Sequence, residues 1–261
     1  LRKSNCFVRY DHDYEISANL MARADARVIW GSDKTVQELT AIKIPTYQKT
    51  LVFPSRISVA VIDASSIVNI DEGNLKTIAN LFISDSLTYS QMGCSSPRKI
   101  YWVNARENNL ESRRRFWNYV NHGVLNRGLI DSSQMTSRLT NLYSLALSSN
   151  SSFVINEEAS DKVLVLDVNE ISNEDVEKFV SYGTFLEFSC RTLSDVFADC
   201  DRKIQTLCYF GFEKESLMKA LELSQCLGVD RIVPFGQAFE MRSTWDGIDI
   251  IRELSRFVEV R

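Results

Sequence analysis

The chain has 261 residues, 44% hydrophobic and 25% charged, the balance of a globular protein with enough apolar mass for one large domain or two smaller ones. Thirty Lys and Arg against 34 Asp and Glu leave a formal charge of -4, which argues against a broad basic surface for nucleic acid. Ten Gly and four Pro are too few for a disordered or collagen-like polymer, and no apolar run reaches the roughly 18 residues of a membrane-spanning helix, so a soluble, cytoplasmic protein is expected.

Leu1 to Asn5 carry no initiator Met, apolar targeting core or small-residue cleavage site, and the chain reads as a fragment of a longer protein. Ala26 to Trp30 is a short apolar strand, Gly31-Ser32-Asp33 a turn with capping chemistry, and Thr35 to Ala41 a helix. Thr50 to Phe53 and Ile57 to Ile62 (ISVAVI) are rich in β-branched residues, and the second is apolar almost throughout, as a strand covered on both faces should be. Asp71 to Thr88 is an amphipathic helix leading to a turn at Met92-Gly93-Cys94, and a strand follows at Ile100 to Val103. Helices over Leu110 to Val124 and Ser133 to Leu147 read as one covering layer. Strands near Lys162 to Leu166, Thr184 to Phe188 and Gln205 to Tyr209 then alternate with helices near Asn173 to Val180, Ser194 to Lys203 and Lys214 to Leu227. The alternation makes the class α/β with a parallel sheet. A helix over Gly247 to Leu254, N-capped by Asp246, precedes a terminal strand, Arg256 to Val260, whose open edge suits a second subunit. Boundaries are suggested near Tyr89 to Cys94 and near Pro234-Phe235-Gly236.

The common signatures are missing: there is no P-loop, no Gly-x-Gly-x-x-Gly, no Gly-x-Ser-x-Gly elbow and no His-Glu-x-x-His. With only His12 and His122, and six cysteines lacking paired spacing, neither a His-rich cage nor structural zinc is implied. The cysteines (Cys6, Cys94, Cys190, Cys200, Cys208, Cys226) read as reduced thiols. Cys94 stands apart because it follows Gly93 in the polar, turned segment Ser90-Gln91-Met92-Gly93-Cys94-Ser95-Ser96-Pro97; the other five read as inert core residues. A turn of this kind can aim backbone N–H groups at a thiolate and at a substrate carbonyl oxygen, although a free cysteine is also an ordinary buried hydrophobe. Gly31 and Ser32 suit a dinucleotide phosphate, Gly for close approach and the hydroxyl and helix N-terminus for negative charge; a plain strand-to-helix turn reads the same way.

Taken together, the segments FVRYDHDYEI from Phe7, ADARVIWGSDKTV (Ala24 to Val36), SQMGCSSPRKIYWV (Ser90 to Val103) and GVDRIVPFGQAFEMRSTWDG (Gly228 to Gly247) resemble the acyl-CoA reductase family typified by the fatty-acid reductase of bacterial bioluminescence, a branch of the aldehyde dehydrogenase superfamily. The resemblance implies an aldehyde-dehydrogenase-like fold with residues 1–90 as the end of a nucleotide-binding domain, 91–235 as a catalytic domain and 236–261 as a terminal segment for oligomerisation. It implies Cys94 as acyl acceptor and Gly31 and Ser32 at an NADPH cofactor. It further implies an acyl-CoA or acyl-protein thioester substrate, a fatty aldehyde product and an acyl-transferring synthetase as partner. Sulfur suits the task, being a competent nucleophile at neutral pH and a good leaving group when the hemithioacetal collapses.

The superfamily's hydrolytic members carry a Glu-Leu-Gly-Gly base segment; the matching stretch here, Val52-Phe53-Pro54-Ser55-Arg56, has no carboxylate, so water attack on the thioester should be slow. The superfamily's ribose-contacting Glu has no counterpart around Val180 to Thr184, and Glu187 is not assigned that role. Two readings from other classes remain open: a noncatalytic interaction module, and an acyl-transfer protein without hydride chemistry.

Overall fold

The computed structural model describes residues 5–104, 109–148, 152–155 and 162–261. In chain order the elements are α1 (Tyr14–Ala22), β1 (Ala26–Trp30), α2 (Asp33–Thr40), β2 (Lys49–Phe53), β3 (Ile57–Asp63), α3 (Ala64–Val68), α4 (Glu72–Leu87), β4 (Pro97–Val103), α5 (Asn109–Arg127), α6 (Ser132–Ser148), β5 (Phe153–Ile155), β6 (Leu164–Val168), α7 (Asn173–Phe179), β7 (Thr184–Ser189), α8 (Leu193–Ala198), β8 (Ile204–Phe210), α9 (Lys214–Ser224), β9 (Arg231–Pro234), β10 (Thr244–Trp245), β11 (Ile248–Asp249) and α10 (Ile250–Leu254). They fall into two compact units, the segment through Ser55 together with Ile248–Arg261, and Arg56–Gly247.

In the first unit β1 and β2 pair in parallel, from Ala26 opposite Lys49 to Trp30 opposite Phe53, with α2 as the crossover between them. Ser32 caps α2 by accepting from Thr35 N at 3.2 Å. At the other end of the helix, the buried Arg27 guanidinium donates to the carbonyls of Leu39, Thr40 and Ile42, holding the last turn and the segment just after it. Trp30 stacks on Phe53 with ring centroids 4.0 Å apart.

The second unit is built on a seven-stranded sheet in the order β5-β6-β7-β4-β3-β8-β9. Every pairing is parallel except that of the edge strand β5, which runs antiparallel to β6. The central strands β3 and β4 are buried along their whole length, so both faces of the sheet are covered. The pleat sends Ala60, Ile62, Ile100 and Trp102 into one core, with Phe82 and Ile83 of α4 and Phe116, Trp117 and Val120 of α5. Val59, Val61, Tyr101 and Val103 enter the other, with residues of α7, α8 and α9. The first core encloses Glu187, 1% exposed, which accepts from Trp102 Nε1 at 2.5 Å and Trp117 Nε1 at 2.6 Å, with Arg113 at 3.8 Å.

Several expectations need correction. Helices α5 and α6 do not form a single layer throughout: α5 packs with α4 in the first core, whereas α6 spans both, Met135 near its start against the first and Leu142 and Leu145 against the second. Residues 90 and 235 do not bound compact units, because β3 lies hydrogen-bonded between β4 and β8; the chain leaves the first unit after Ser55 and returns to it at Ile248. Asp246 caps no helix. It has φ +49° and forms a tight turn with Gly247 at φ +73°, and the cap of α10 is Asp249, which accepts from Arg252 N. Arg256 to Val260 alternates like a strand but belongs to none of the sheets. Of the five cysteines read as core, Cys200 and Cys208 are buried, Cys190 and Cys226 half-buried and Cys6 exposed.

Candidate active site

Cys94 lies half-buried in the connection from α4 to β4, a segment pinned at several points. Ser90 and Gln91 both adopt left-handed backbone, φ +53° and +65°, which L-residues keep only where surrounding contacts enforce it. Gln91 supplies those contacts: fully buried, its Nε2 donates to Pro97 O at 3.1 Å and Thr184 O at 2.7 Å, and its Oε1 accepts from Gly183 N at 3.0 Å. Ser96 N then donates to Gly93 O at 3.0 Å, closing a turn with Cys94 at its second position.

Two further polar side chains reach the turn from the sheet. A bulge at the start of β3 shifts the register between Ser58 and Val59 against β4. Ser58 Oγ donates to Cys94 O at 2.6 Å and accepts from Thr206 N at 3.2 Å. Ser95 Oγ donates to Gln205 Oε1 at 3.0 Å, and Gln205 Nε2 in turn donates to Asp246. Among the described residues, no acceptor engages the N–H groups of Cys94 and Ser95, so the turn holds two main-chain donors in reserve.

The fourth of the segments quoted from the sequence, Gly228 to Gly247, joins this loop. A Cβ at Gly93 would stand 2.9 Å from the ring of Phe239, so Gly93 is the residue that admits that ring, and Tyr89 meets Phe239 edge-on at 5.1 Å. Buried Asp85 on α4 accepts from Gly236 N at 2.6 Å and Ala238 N at 3.0 Å, fixing the Pro-Phe-Gly bend; burial pushes this carboxyl up to about 6, against the two N–H donors and Arg231. Arg231 lies over Trp245 at 4.3 Å and donates to the carbonyls of Gln237, Ala238 and Glu240. Two guanidinium groups share the field of the Cys94 sulfur. Burial pulls Arg98 down to about 10 against the charges of Glu177 and Cys94, and it lowers Arg231 against those of Cys208, Asp246 and Cys94. Beside the loop opens a cavity of about 420 Å³ lined by Met92, Thr140, Asn141, Glu177, Lys178 and Tyr182 among others, a mostly polar surface that includes one carboxylate and one ammonium group.

Gly31 and Ser32 lie in the other unit, at the carboxyl end of β1, the position where open α/β sheets receive ligands. A Cβ at Gly31 would stand 2.9 Å from Thr35 Cγ2, so the close turn requires glycine. Ser32 is exposed at the head of α2, and the neighbouring Asp33 carboxylate accepts from Ser55 N at 3.1 Å. An exposed hydroxyl at a helix N-terminus preceded by glycine has the chemistry a dinucleotide phosphate needs. His12 and His122 are exposed and outside these arrangements. Among the described residues no group of three His, Cys, Asp or Glu could hold a metal, and no helix is long and apolar enough to cross a membrane.

Sequence reasoning singled out Cys94, Gly31 and Ser32 but missed Ser58, Asp85, Gln205 and the role of Gln91. The available signal was a polar residue set in an apolar pattern: Ser58 within ISVAVI, Gln205 within IQTLCYF, and Asp85 on the buried face of α4.

The fold is that of the aldehyde dehydrogenases. Aldehyde dehydrogenase 21 from Physcomitrella patens, solved with the reaction product succinate, aligns with TM-score 0.59 at 10% identity over 88% of this chain and 48% of its own. An NAD-dependent aldehyde dehydrogenase from Sinorhizobium meliloti gives 0.57 at 10% identity over 83% and 45%, and succinic semialdehyde dehydrogenase from Streptococcus pyogenes in complex with NADP+ gives 0.56 at 11% over 85% and 50%. The chain thus spans about half the length of the solved structures it matches. Within that fold, residues 6–115, which include Gly31, Ser32 and Cys94, match the family described as Acyl-CoA reductase (LuxC). No curated protein matches the chain in sequence.

Proposed function

We propose that this chain is part of an acyl-CoA reductase that converts a long-chain fatty acyl-CoA or acyl-protein thioester to the aldehyde, with Cys94 as acyl acceptor and NADPH as reductant. The observation that carries the reading is the Cys94 turn: a half-buried thiol held from Gln91, Ser58 and Gln205, with the N–H groups of Cys94 and Ser95 unengaged. The match to the acyl-CoA reductase family over the same loop supports it.

In this mechanism the Cys94 thiolate attacks the thioester carbonyl, and the N–H groups of Cys94 and Ser95 receive the oxyanion of the tetrahedral intermediate. Collapse expels the carrier thiol and leaves a thioacyl group on Cys94. Arg98 and Arg231 are cationic groups within electrostatic reach of the sulfur. The polar cavity beside Met92, with Glu177 and Lys178 in its wall, suits a polar portion of the ligand rather than an alkyl chain. Residues 5–55 with 248–261 serve as the cofactor-binding part, where the exposed Ser32 hydroxyl and the head of α2 would hold a phosphate and Gly31 would admit it. The reductant supplies hydride when bound. The segment Val52–Arg56 offers no carboxylate to activate water, which favours reduction over hydrolysis.

Incubation with acyl-labelled acyl-CoA tests the reading. A hydroxylamine-labile label on Cys94 that is lost in Cys94→Ala supports it; an unlabelled wild-type protein, or a label that survives the substitution, overturns it. Labelling without NADPH oxidation in the full-length protein would replace the reductase with an acyl-transfer protein.

A further inference from the structure

A second pair of sulfurs stands outside the Cys94 site. Cys200 follows the end of α8 and Cys226 the end of α9, and the two segments abut so closely that a Cβ at Gly228 would stand 1.8 Å from Asp201 O. Val229 N donates to Ile204 O at 2.9 Å and Asp230 N to Gln205 O at 2.9 Å, so the contact is pinned just beyond the sulfurs. Cys226 Sγ donates to Cys200 O at 3.4 Å and to Gly228 O at 3.5 Å, and the Cys200 thiol, which donates to Val196 O at 3.2 Å, lies within electrostatic reach of it. Cys200 is 3% exposed while Cys226 is half-buried, which gives one sulfur access to a small solute and keeps its partner behind it.

We propose that Cys200 and Cys226 form a peroxide-sensitive dithiol, a modification site at which a hydroperoxide oxidises Cys226 and Cys200 then closes a disulfide. In the first step the Cys226 thiolate attacks one peroxide oxygen. An S–O bond forms, the O–O bond breaks, and the departing oxygen takes a proton to leave as water or an alcohol; the sulfur is oxidised to sulfenic acid and the peroxide reduced. In the second, the Cys200 sulfur attacks Cys226 Sγ. The S–S bond forms, the S–O bond breaks, and hydroxide leaves with the Cys200 proton as water. The electrostatics agree with these roles. The neighbouring Cys200 side chain brings the Cys226 thiol down to about 7, against burial and Asp230. Burial instead pushes Cys190 up to about 11 and Cys208 well up, leaving those thiols protonated and unreactive.

The reduced protein is exposed to graded hydrogen peroxide, its remaining thiols are blocked, and it is digested without reductant; trypsin cuts between the two cysteines at Arg202, Lys203, Lys214 and Lys219. The expected product is a pair of peptides joined through Cys200 and Cys226, lighter than their sum by two hydrogens and separated by dithiothreitol. The bridged form should melt about 5–10 °C higher than the reduced one. Cys226→Ser should abolish the bridge, and Cys200→Ser should leave a Cys226 sulfenic acid that dimedone traps. Should Cys200→Ser fail to fold, the peptide map of the unsubstituted protein decides alone. A Cys226 that stays reduced while other thiols oxidise, or that bridges to a cysteine other than Cys200, overturns the proposal. Neither sulfur belongs to the Cys94 site, so this result is independent of the reductase reading.

Discussion

Gln91→Ala removes the side chain that ties the Cys94 turn to the starts of β4 and β7. The native amide makes three hydrogen bonds with buried or half-buried main chain, two donated and one accepted. Such a bond contributes about 1 kcal/mol net where water can replace it and about 1–3 kcal/mol where a buried group is stranded. The Pro97 and Thr184 carbonyls each keep a second lone pair, but Gly183 N–H loses its acceptor, so the stability loss should be about 3 kcal/mol. Urea unfolding at constant m-value measures it. Because Ala still occupies a left-handed backbone position, Gln91→Gly should recover part of that loss, about 1 kcal/mol. The acylation burst at Cys94 should slow at least tenfold in the alanine variant, since the turn loses its anchor three residues upstream. A stability loss below about 1 kcal/mol with an unchanged burst would show that Gln91 does not organise the loop.

Three other perturbations follow from the same geometry. Asp85 holds its proton more tightly in the folded chain, at about 6 against 3.8, so the native state is favoured by proton uptake between those values and loses that advantage as pH rises through them. Stability relative to Asp85→Asn should therefore fall by up to about 3 kcal/mol from pH 4 to pH 7, and a flat difference would refute the assignment. Gly31→Val crowds the β1–α2 turn against Thr35, and should weaken NADPH binding at least tenfold in a fluorescence titration while leaving the acylation burst intact; loss of the burst instead would contradict the division of roles. Glu187→Ala strands two indole N–H groups and removes the buried carboxylate partner of Arg113, which keeps Asp167 and Ser189, and should cost about 3–5 kcal/mol by thermal or urea unfolding, with Glu187→Gln intermediate.

Much of this fold was legible in the residues because burial on both faces leaves a plain mark. ISVAVI could only be a covered strand, and the stripe on Asp71 to Thr88 could only be a helix against it. How α6 divides between the two cores was not legible: Met135 packs on the first and Leu142 and Leu145 on the second, while Leu139, Tyr143 and Leu147 remain exposed. Arg256 to Val260 alternates convincingly, but alternation describes a face and not a partner. The unit boundaries escaped because the chain enters the large sheet at β3 with no change in composition. Cys94 and its turn could be picked out from local chemistry, whereas the groups that hold the turn could not. Ser58 is 36 residues from Cys94, and Gln205 is 110 from Ser95, so their roles exist only once the sheet brings them together.

The most direct test is the intact mass of the full-length protein after mixing with a long-chain acyl-CoA in the absence of NADPH. The account predicts one acyl group per chain, located at Cys94 by peptide mapping, persisting in buffer and discharged as aldehyde within one turnover of adding NADPH. An adduct on any other residue, or none at all from a folded wild-type protein, would contradict it.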